Sequence, residues 1–268
     1  ALSLLIVGAS FRTHLLKEAI SFGQESFFVE ASLLSSGVAR SVGLGYDGSK
    51  RHVMINKRSA LSTKELIGIL LGVSSGLSDI DLLTQAPFLR RRYLDEQIAE
   101  IDPYFVEQLG RANRALQQRN ALLRIRSMEA IHVWEEMLAA SASYVIQQRR
   151  KTAQELIPLI FFWLGHFPPL AVIQNGLEIR YRTQVPLEED SVSWLKAQLE
   201  AKRSKEMDYK TTLIGHHRDD LLFFYKGISL KQTLSLGQLR LVALAIRLAE
   251  WSLLKERAVD EKPIFLLD

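Results

Sequence analysis

"TLSLGQLRLVALAIRLAE" (Thr233–Glu250) decides how the rest of the chain is read. Leu239, Leu241, Val242, Leu244, Ala245, Ile246 and Leu248 make its helix apolar almost all round, so the helix belongs in an interior. Ser235, Gly237 and Gln238 stand in front of it. A helix amino end carries unpaired N–H groups and a partial positive charge, which suit a phosphate oxygen. Gly237 lets a backbone approach closely, and the Ser235 hydroxyl has a proton to donate. Ser235 also reads as an ordinary N-cap, and the residues alone leave both readings open.

Downstream lies "PIFLLD" (Pro263–Asp268), a continuous apolar run that reads as a strand buried on both faces of a parallel sheet. An acid at the end of such a strand emerges at the carboxyl edge, where α/β sheets bind ligands. Asp268 there is either a ligand of Mg²⁺, direct or through water, or the cap of the next turn.

The remaining periodicity is mixed. "ALSLLIVG" (Ala1–Gly8) reads as the tail of a helix stopped by Gly8, and "ARSVGLGYDGSKRHVMINK" as two strands around Asp47-Gly48. From about Pro87 to Leu156 the pattern is helical. Phe105, Leu109, Ala112, Leu116 and Leu123 form one apolar stripe; Val133, Met137, Ala140, Tyr144 and Val145 form a second. Two or three antiparallel helices are expected to bury these stripes against one another. "LIPLIFFWLGHFPPLAVI" (Leu156–Ile173) is broken by Pro158, Gly165, Pro168 and Pro169, so it reads as core helix, turn and strand rather than a membrane span. "LEIRYRTQV" alternates as a strand, and "TTLIGHHRDDLLFFYKG" reads as strand, turn, strand. The predicted order is a discontinuous α/β lobe (1–80 and 172–268) with an all-helical lobe (81–171) inserted.

Of the 268 residues, 47% are hydrophobic and 24% charged, which is globular. A net charge of +4 leans toward polyanionic partners. Without cysteine, disulfides, thiolate zinc sites and Cys nucleophiles are excluded, and a reducing, cytoplasmic setting is compatible. Both ends sit within apolar runs, so the chain is expected to be a segment of something longer. The six His show no i, i+4 metal pair.

The order Ser-x-Gly-Gln turn, buried helix, then apolar strand ending in Asp resembles the signature motif and Walker B strand of ABC-type ATPase heads. "TTLIGHHRDDL" (Thr211–Leu221) is similar to the Gly-Pro-His-Arg-Asp-Asp-Leu stretch of the RecF family of bacterial DNA replication and repair proteins. "GASFRTH" (Gly8–His14) and "LRRRYLDEQIAEIDPYFVEQLGRANRALQQRNALLR" (Leu89–Arg124) match further family segments in order. The likeness runs from Ala1 to Asp268. Departures are Ala9 for Arg, His216 for Pro, a loose "GVSSGLSDIDLL" and an unusually apolar "LIPLIFFWLGHFPPL".

The resemblance implies an ABC-type ATPase head that binds ATP and Mg²⁺, forms an ATP-dependent homodimer and engages DNA at single-stranded gaps or junctions. It implies recombination mediator proteins as partners, recombinase loading as the outcome and slow hydrolysis as the switch. Ser235, Gly237 and Gln238 would touch the γ-phosphate held by the opposite subunit, and Asp268 would assist Mg²⁺. No G-x-x-x-x-G-K-[ST] occurs in the sequence. "GLGYDGSK" (Gly43–Lys50) has Ser before Lys and a strand after it, so it is a hairpin turn, not a phosphate loop. In the family the Walker A loop precedes the helix matched by "ALSLLIVG", and the carboxylate that orients water follows Walker B. Enzymatic activity is therefore left open, and a degenerate head acting as a DNA- or protein-binding module is the alternative. Arg111, Arg114, Arg119, Arg124 and Arg126, preceded by Arg90, Arg91 and Arg92, read either as a phosphate-binding surface or as a solvated helix face paired with nearby acids.

Overall fold

Apolar stripes and chain breakers set the element order in the computed structural model, which describes residues 1–8, 15–35, 37–60, 63–66, 68–187, 190–258 and 262–268. Helix α1 (Leu2–Val7) stops at Gly8, whose φ of 67° is the left-handed conformation a glycine supplies. Strands β1 (Phe27–Ser35), β2 (Val38–Tyr46), β3 (Arg51–Ile55) and β4 (Arg58–Ser59) form an antiparallel sheet in that order. Its β2–β3 turn is fastened by the Asp47 carboxylate, which accepts from the Ser49 and Lys50 N–H groups. Leu5, Val42, Leu44 and Val53 are buried together beneath this sheet. Strand β5 (Gly72–Ser75) and α2 (Asp81–Thr84) follow, and then α3 (Pro87–Ala99), α4 (Pro103–Arg124) and α5 (Ile131–Leu164). The chain continues through α6 (Ala171–Gln174), β6 (Leu177–Arg182), α7 (Ser191–Ala201), α8 (Arg203–Tyr209), β7 (Asp220–Tyr225) and β8 (Ile228–Ser229). It closes with α9 (Leu230–Thr233), α10 (Leu236–Arg257) and β9 (Ile264–Leu267).

Two compact units result. One holds Ala1–Thr84, Leu156–Gly176 and Leu230–Asp268; the other holds Gln85–Glu155 and Leu177–Ser229. This division differs from the expected lobes of 1–80, 81–171 and 172–268. Residues 177–229 go with the helices because their charges are anchored there: Asp220 of β7 takes the Arg90 guanidinium of α3, and Tyr181 of β6 shares Asp219 with Arg149 of α5. The end of α5 joins the first unit, where the Trp163 indole N–H donates to Ser252 of α10.

Three local expectations are corrected. Helix α5 runs through Pro158, and residues 168–174 are helical rather than a strand. Residues 211–215 are not a strand either, because side chains satisfy their backbone: Asn120 accepts the Thr212 N–H and Glu206 the Leu213 N–H. The second apolar stripe points outward for most of its length. Val133 is 46% exposed and Met137 38%, while Leu138, Ala139, Ala142 and Ile146 form the buried face of α5. No helix among the described residues is long and apolar enough to cross a membrane.

Strand β9 pairs in parallel with β5, Gly72 opposite Ile264 and Ser75 opposite Leu267. A Cβ on Gly72 would meet the Ile264 carbonyl oxygen and Ile6 Cδ1 at 2.8 Å each, so glycine is required there. Ile264, Phe265 and Leu266 of β9 are half-buried and Leu267 is exposed, rather than all fully buried, since β5 is its one partner among the described residues.

Candidate functional site

Helix α10 is buried along its body and open at its amino end. Leu239, Val242, Ala245, Ile246 and Ala249 are in the core, while Ser235, Leu236 and Gly237 are exposed. Ser235 and Gln238 close a reciprocal capping box: the Ser235 Oγ accepts the Gln238 N–H, and Gln238 Oε1 accepts the Ser235 N–H. The cap fixes the turn and leaves the Leu236 and Gly237 N–H groups without intrahelical acceptors. The Ser235 hydroxyl proton and the Gln238 amide N–H groups are donors that those two bonds do not use. Gly237 has no positive φ, and a Cβ built on it would meet nothing within 4 Å. Among the described residues neither backbone conformation nor packing asks for glycine at 237.

Asp268 lies at the carboxyl end of β9, where its N–H donates to the Ser75 carbonyl at 3.0 Å. The end of β5 beside it is organised by a residue the sequence reading missed. The Asp79 carboxylate accepts from the Ser75 hydroxyl at 3.0 Å and from the Gly76 N–H at 2.9 Å. It also takes both the Nε and Nη2 of Arg247, which in turn reaches Glu250. Asp79 and Glu250 are both buried. The signal was available: Arg247 and Glu250 are an i, i+3 charge pair inside an otherwise apolar helix, and buried charges need partners. This network ties the strand edge next to Asp268 to the middle of α10.

Among the described residues no group of three or more His, Asp or Glu is placed to hold a metal by itself. Asp268 would thus supply one protein oxygen, leaving the other positions to phosphate and water, which is how Mg²⁺ is commonly held. The open amino end of α10 fits a phosphate for the reasons of backbone access just given.

The five arginines do not form one surface. Arg119 is corrected from a candidate phosphate contact to a buried strut. It is fully enclosed, paired with Glu135 at 3.0 Å and Glu206 at 2.6 Å, and it donates to Thr212 and the Leu199 carbonyl. Arg111 is exposed but paired with Glu107, and Arg126 with Asp208. Arg114 and Arg124 are exposed. Arg111 and Arg124 are thirteen positions apart, roughly 140° around an α-helix, and so point to different sides. Upstream, Arg90 and Arg91 are likewise engaged, by Asp220 and the Asp219 carbonyl.

The "GHHRDD" stretch (Gly215–Asp220) is an internal anchor. Gly215 adopts φ 125°, a backbone that favours glycine. The His216 ring meets Asn113, its carbonyl takes Arg149, and the His217 Nε2 bonds the Thr212 carbonyl. Burial and the neighbouring Arg149 hold the His216 imidazole well below its ordinary pKa; burial lowers His217 to about 4. Asp219 accepts from the Tyr181 hydroxyl at 2.6 Å. Its pKa is raised by burial, against the pull of Tyr181 and Arg149. The "GASFRTH" stretch, apart from Gly8, lies outside the described residues.

No protein-family model matches the chain. Sequence comparison finds it 34% identical to the DNA replication and repair protein RecF of Protochlamydia amoebophila, over all of this chain and 75% of that protein. The RecF of Thermosynechococcus vestitus is 32% identical over 97% of this chain and 70% of its own length. Among solved structures, the recombination mediator protein RecF with ATP, described in the RecFOR pathway, superposes with a TM-score of 0.85 at 28% identity. That match covers all of this chain and 73% of the other.

Proposed function

Because the chain belongs to the RecF family of DNA replication and repair proteins, we propose that it carries the signature half of an ATP-gated dimer. Ser235, Gly237 and Gln238 contact the γ-phosphate of ATP held by a second subunit, and Asp268 supplies an oxygen to the Mg²⁺ of its own side. The observation that carries this reading is the amino end of α10: a buried helix with an exposed, pre-capped terminus and a glycine that packing among the described residues does not need. Backbone N–H groups and a hydroxyl in that position stabilise negative charge without reorganising. A superposed relative is described with ATP, which supports the choice of nucleotide. Mg²⁺ neutralises phosphate charge when bound; the chain's own residues position the phosphate and join the subunits.

In the same reading, dimer formation controls residence on DNA at single-stranded gaps or junctions, where recombination mediator proteins join it. Arg124 and Arg126, neighbours at the end of α4, are the phosphate contacts proposed. The Arg126–Asp208 pair is exposed, and such pairs contribute little stability, so little is lost when Arg126 turns to a phosphate.

The test is dimerisation of the full-length protein followed by light scattering with ATPγS and with ADP. Dimer with ATPγS alone, lost in Ser235→Arg, is the expected result. A Ser235→Arg protein that dimerises as well as the parent removes the signature assignment and leaves a nucleotide-independent binding module.

A further inference from the structure

The outward apolar stripe of α5 does not stand alone. It forms one wall of a groove of about 980 Å³ within the helical unit, with α4 as the other wall and the start of α7 at one side. Tyr104, Gln108, Arg111 and Arg114 recur along α4 at steps of three and four, so they share one helix face. Trp134 and Met137 face them from α5, and Val192 contributes from α7. Tyr104 is 54% exposed and Val192 38%, comparable to Met137. An apolar face at helical spacing normally marks core; here nothing among the described residues of the unit covers it.

Two polar features say what would cover it. Gln108 lines the groove, is only 5% exposed, and its side chain makes no hydrogen bond among the described residues. Its amide is not sealed from solvent, and a group that is both donor and acceptor matches a peptide or a side-chain amide. At the rim, Arg114 has no ionic partner among the described residues, while Arg111 holds Glu107 only through an exposed pair. The groove lining contains no Asp or Glu.

We propose that this groove is a docking site for a short amphipathic helix of a protein partner, with apolar side chains directed to Met137, Trp134 and Tyr104 and carboxylates directed to Arg114 and Arg111. The groove runs along α4 from residue 104 to 114, about 15 Å at the helical rise, which seats roughly three turns. Single-stranded nucleic acid fits less well. The Tyr104 ring is engaged edge-on by Tyr144 at 4.9 Å, and the Tyr144 hydroxyl brings the Asp102 carboxylate close, at 2.7 Å. A second copy docking face to face would set Arg111 and Arg114 against themselves. The site is independent of the nucleotide reading, since none of its residues belongs to α10 or β9.

The experiment is selection of a random twelve-residue peptide display library on the full-length protein, followed by fluorescence polarisation with the selected peptides. Peptides combining Asp or Glu with Leu, Phe or Met at three- and four-residue spacing are expected. Arg114→Glu and Met137→Asp should each weaken them at least tenfold, with Lys151→Glu as an exposed charge control that changes nothing and melting temperatures kept. Three outcomes overturn the proposal: no selected peptide is sensitive to Arg114→Glu; oligothymidylate of twenty residues binds and loses affinity with Met137→Asp; or the parent self-associates through a contact that Met137→Asp abolishes.

Discussion

Gly237 makes folding and function separable. Since a Cβ there meets only open space, Gly237→Ala removes backbone freedom from the unfolded chain and is expected to stabilise by about 0.5–1 kcal/mol. The same methyl group would stand between the α10 backbone and a phosphate, so nucleotide-dependent dimerisation should weaken; urea denaturation and light scattering on one preparation read both effects. Ser235→Ala, by contrast, loses the capping box and should cost about 1 kcal/mol. Arg119 makes the opposite case. Arg119→Met leaves Glu206 buried without its cation, while Glu135 keeps Arg203, and should destabilise by about 3 kcal/mol in urea. The turn itself was legible, because Ser235 before an apolar helix reads as an N-cap and the capping box with Gln238 is what the structure shows there. Arg119 was misread because a run of arginines without acids in sequence says nothing about acids brought from Glu135 and Glu206 by folding.

At the scale of elements, the "GHHRDD" segment makes stability depend on pH. The folded protein holds His216 and His217 neutral, with His217 lowered to about 4, whereas an unfolded histidine titrates near 6.5. Below about pH 6.5 the unfolded chain therefore takes up protons that the folded chain refuses, and stability falls as pH drops toward 4. For His217 alone the loss reaches about 3 kcal/mol at most. The raised Asp219 acts in the other direction, because the folded state keeps that proton to higher pH than the unfolded one. Urea midpoints should be flat above pH 7 and decline from pH 6.5 to 4.5, and His217→Gln should flatten the decline. The helices of this unit were legible from three- and four-residue spacing. Which side of α5 was buried was not, because Val133, Met137 and Ala140 form as regular a stripe as the residues that enter the core. Residues 211–215 alternate like a strand, yet Asn120 and Glu206 take the hydrogen bonds that a ladder would have used.

For the molecule as a whole, the order of turn, helix and acid-ending strand was legible because those parts are adjacent in sequence. The two units were not, because 177–229 is bound to the helical unit by Arg90–Asp220 and Arg149–Asp219, pairs far apart in sequence. The DNA contacts proposed for Arg124 and Arg126 belong to this scale too. Arg124→Glu with Arg126→Glu should weaken binding to gapped DNA and shallow its salt dependence, without the loss of stability that Arg119→Met brings. The central claim is that the amino end of α10 reaches a phosphate held by another subunit. The chain contains no cysteine, so Leu236→Cys introduces a single thiol at an exposed position of that turn. Its labelling by an ATP analogue bearing a thiol-reactive group on the γ-phosphate is the direct measurement. The account predicts labelling that rises with protein concentration in step with dimer and disappears in a dimer-deficient background. Labelling at equal yield in the monomer, or a full dimer without labelling, would contradict it.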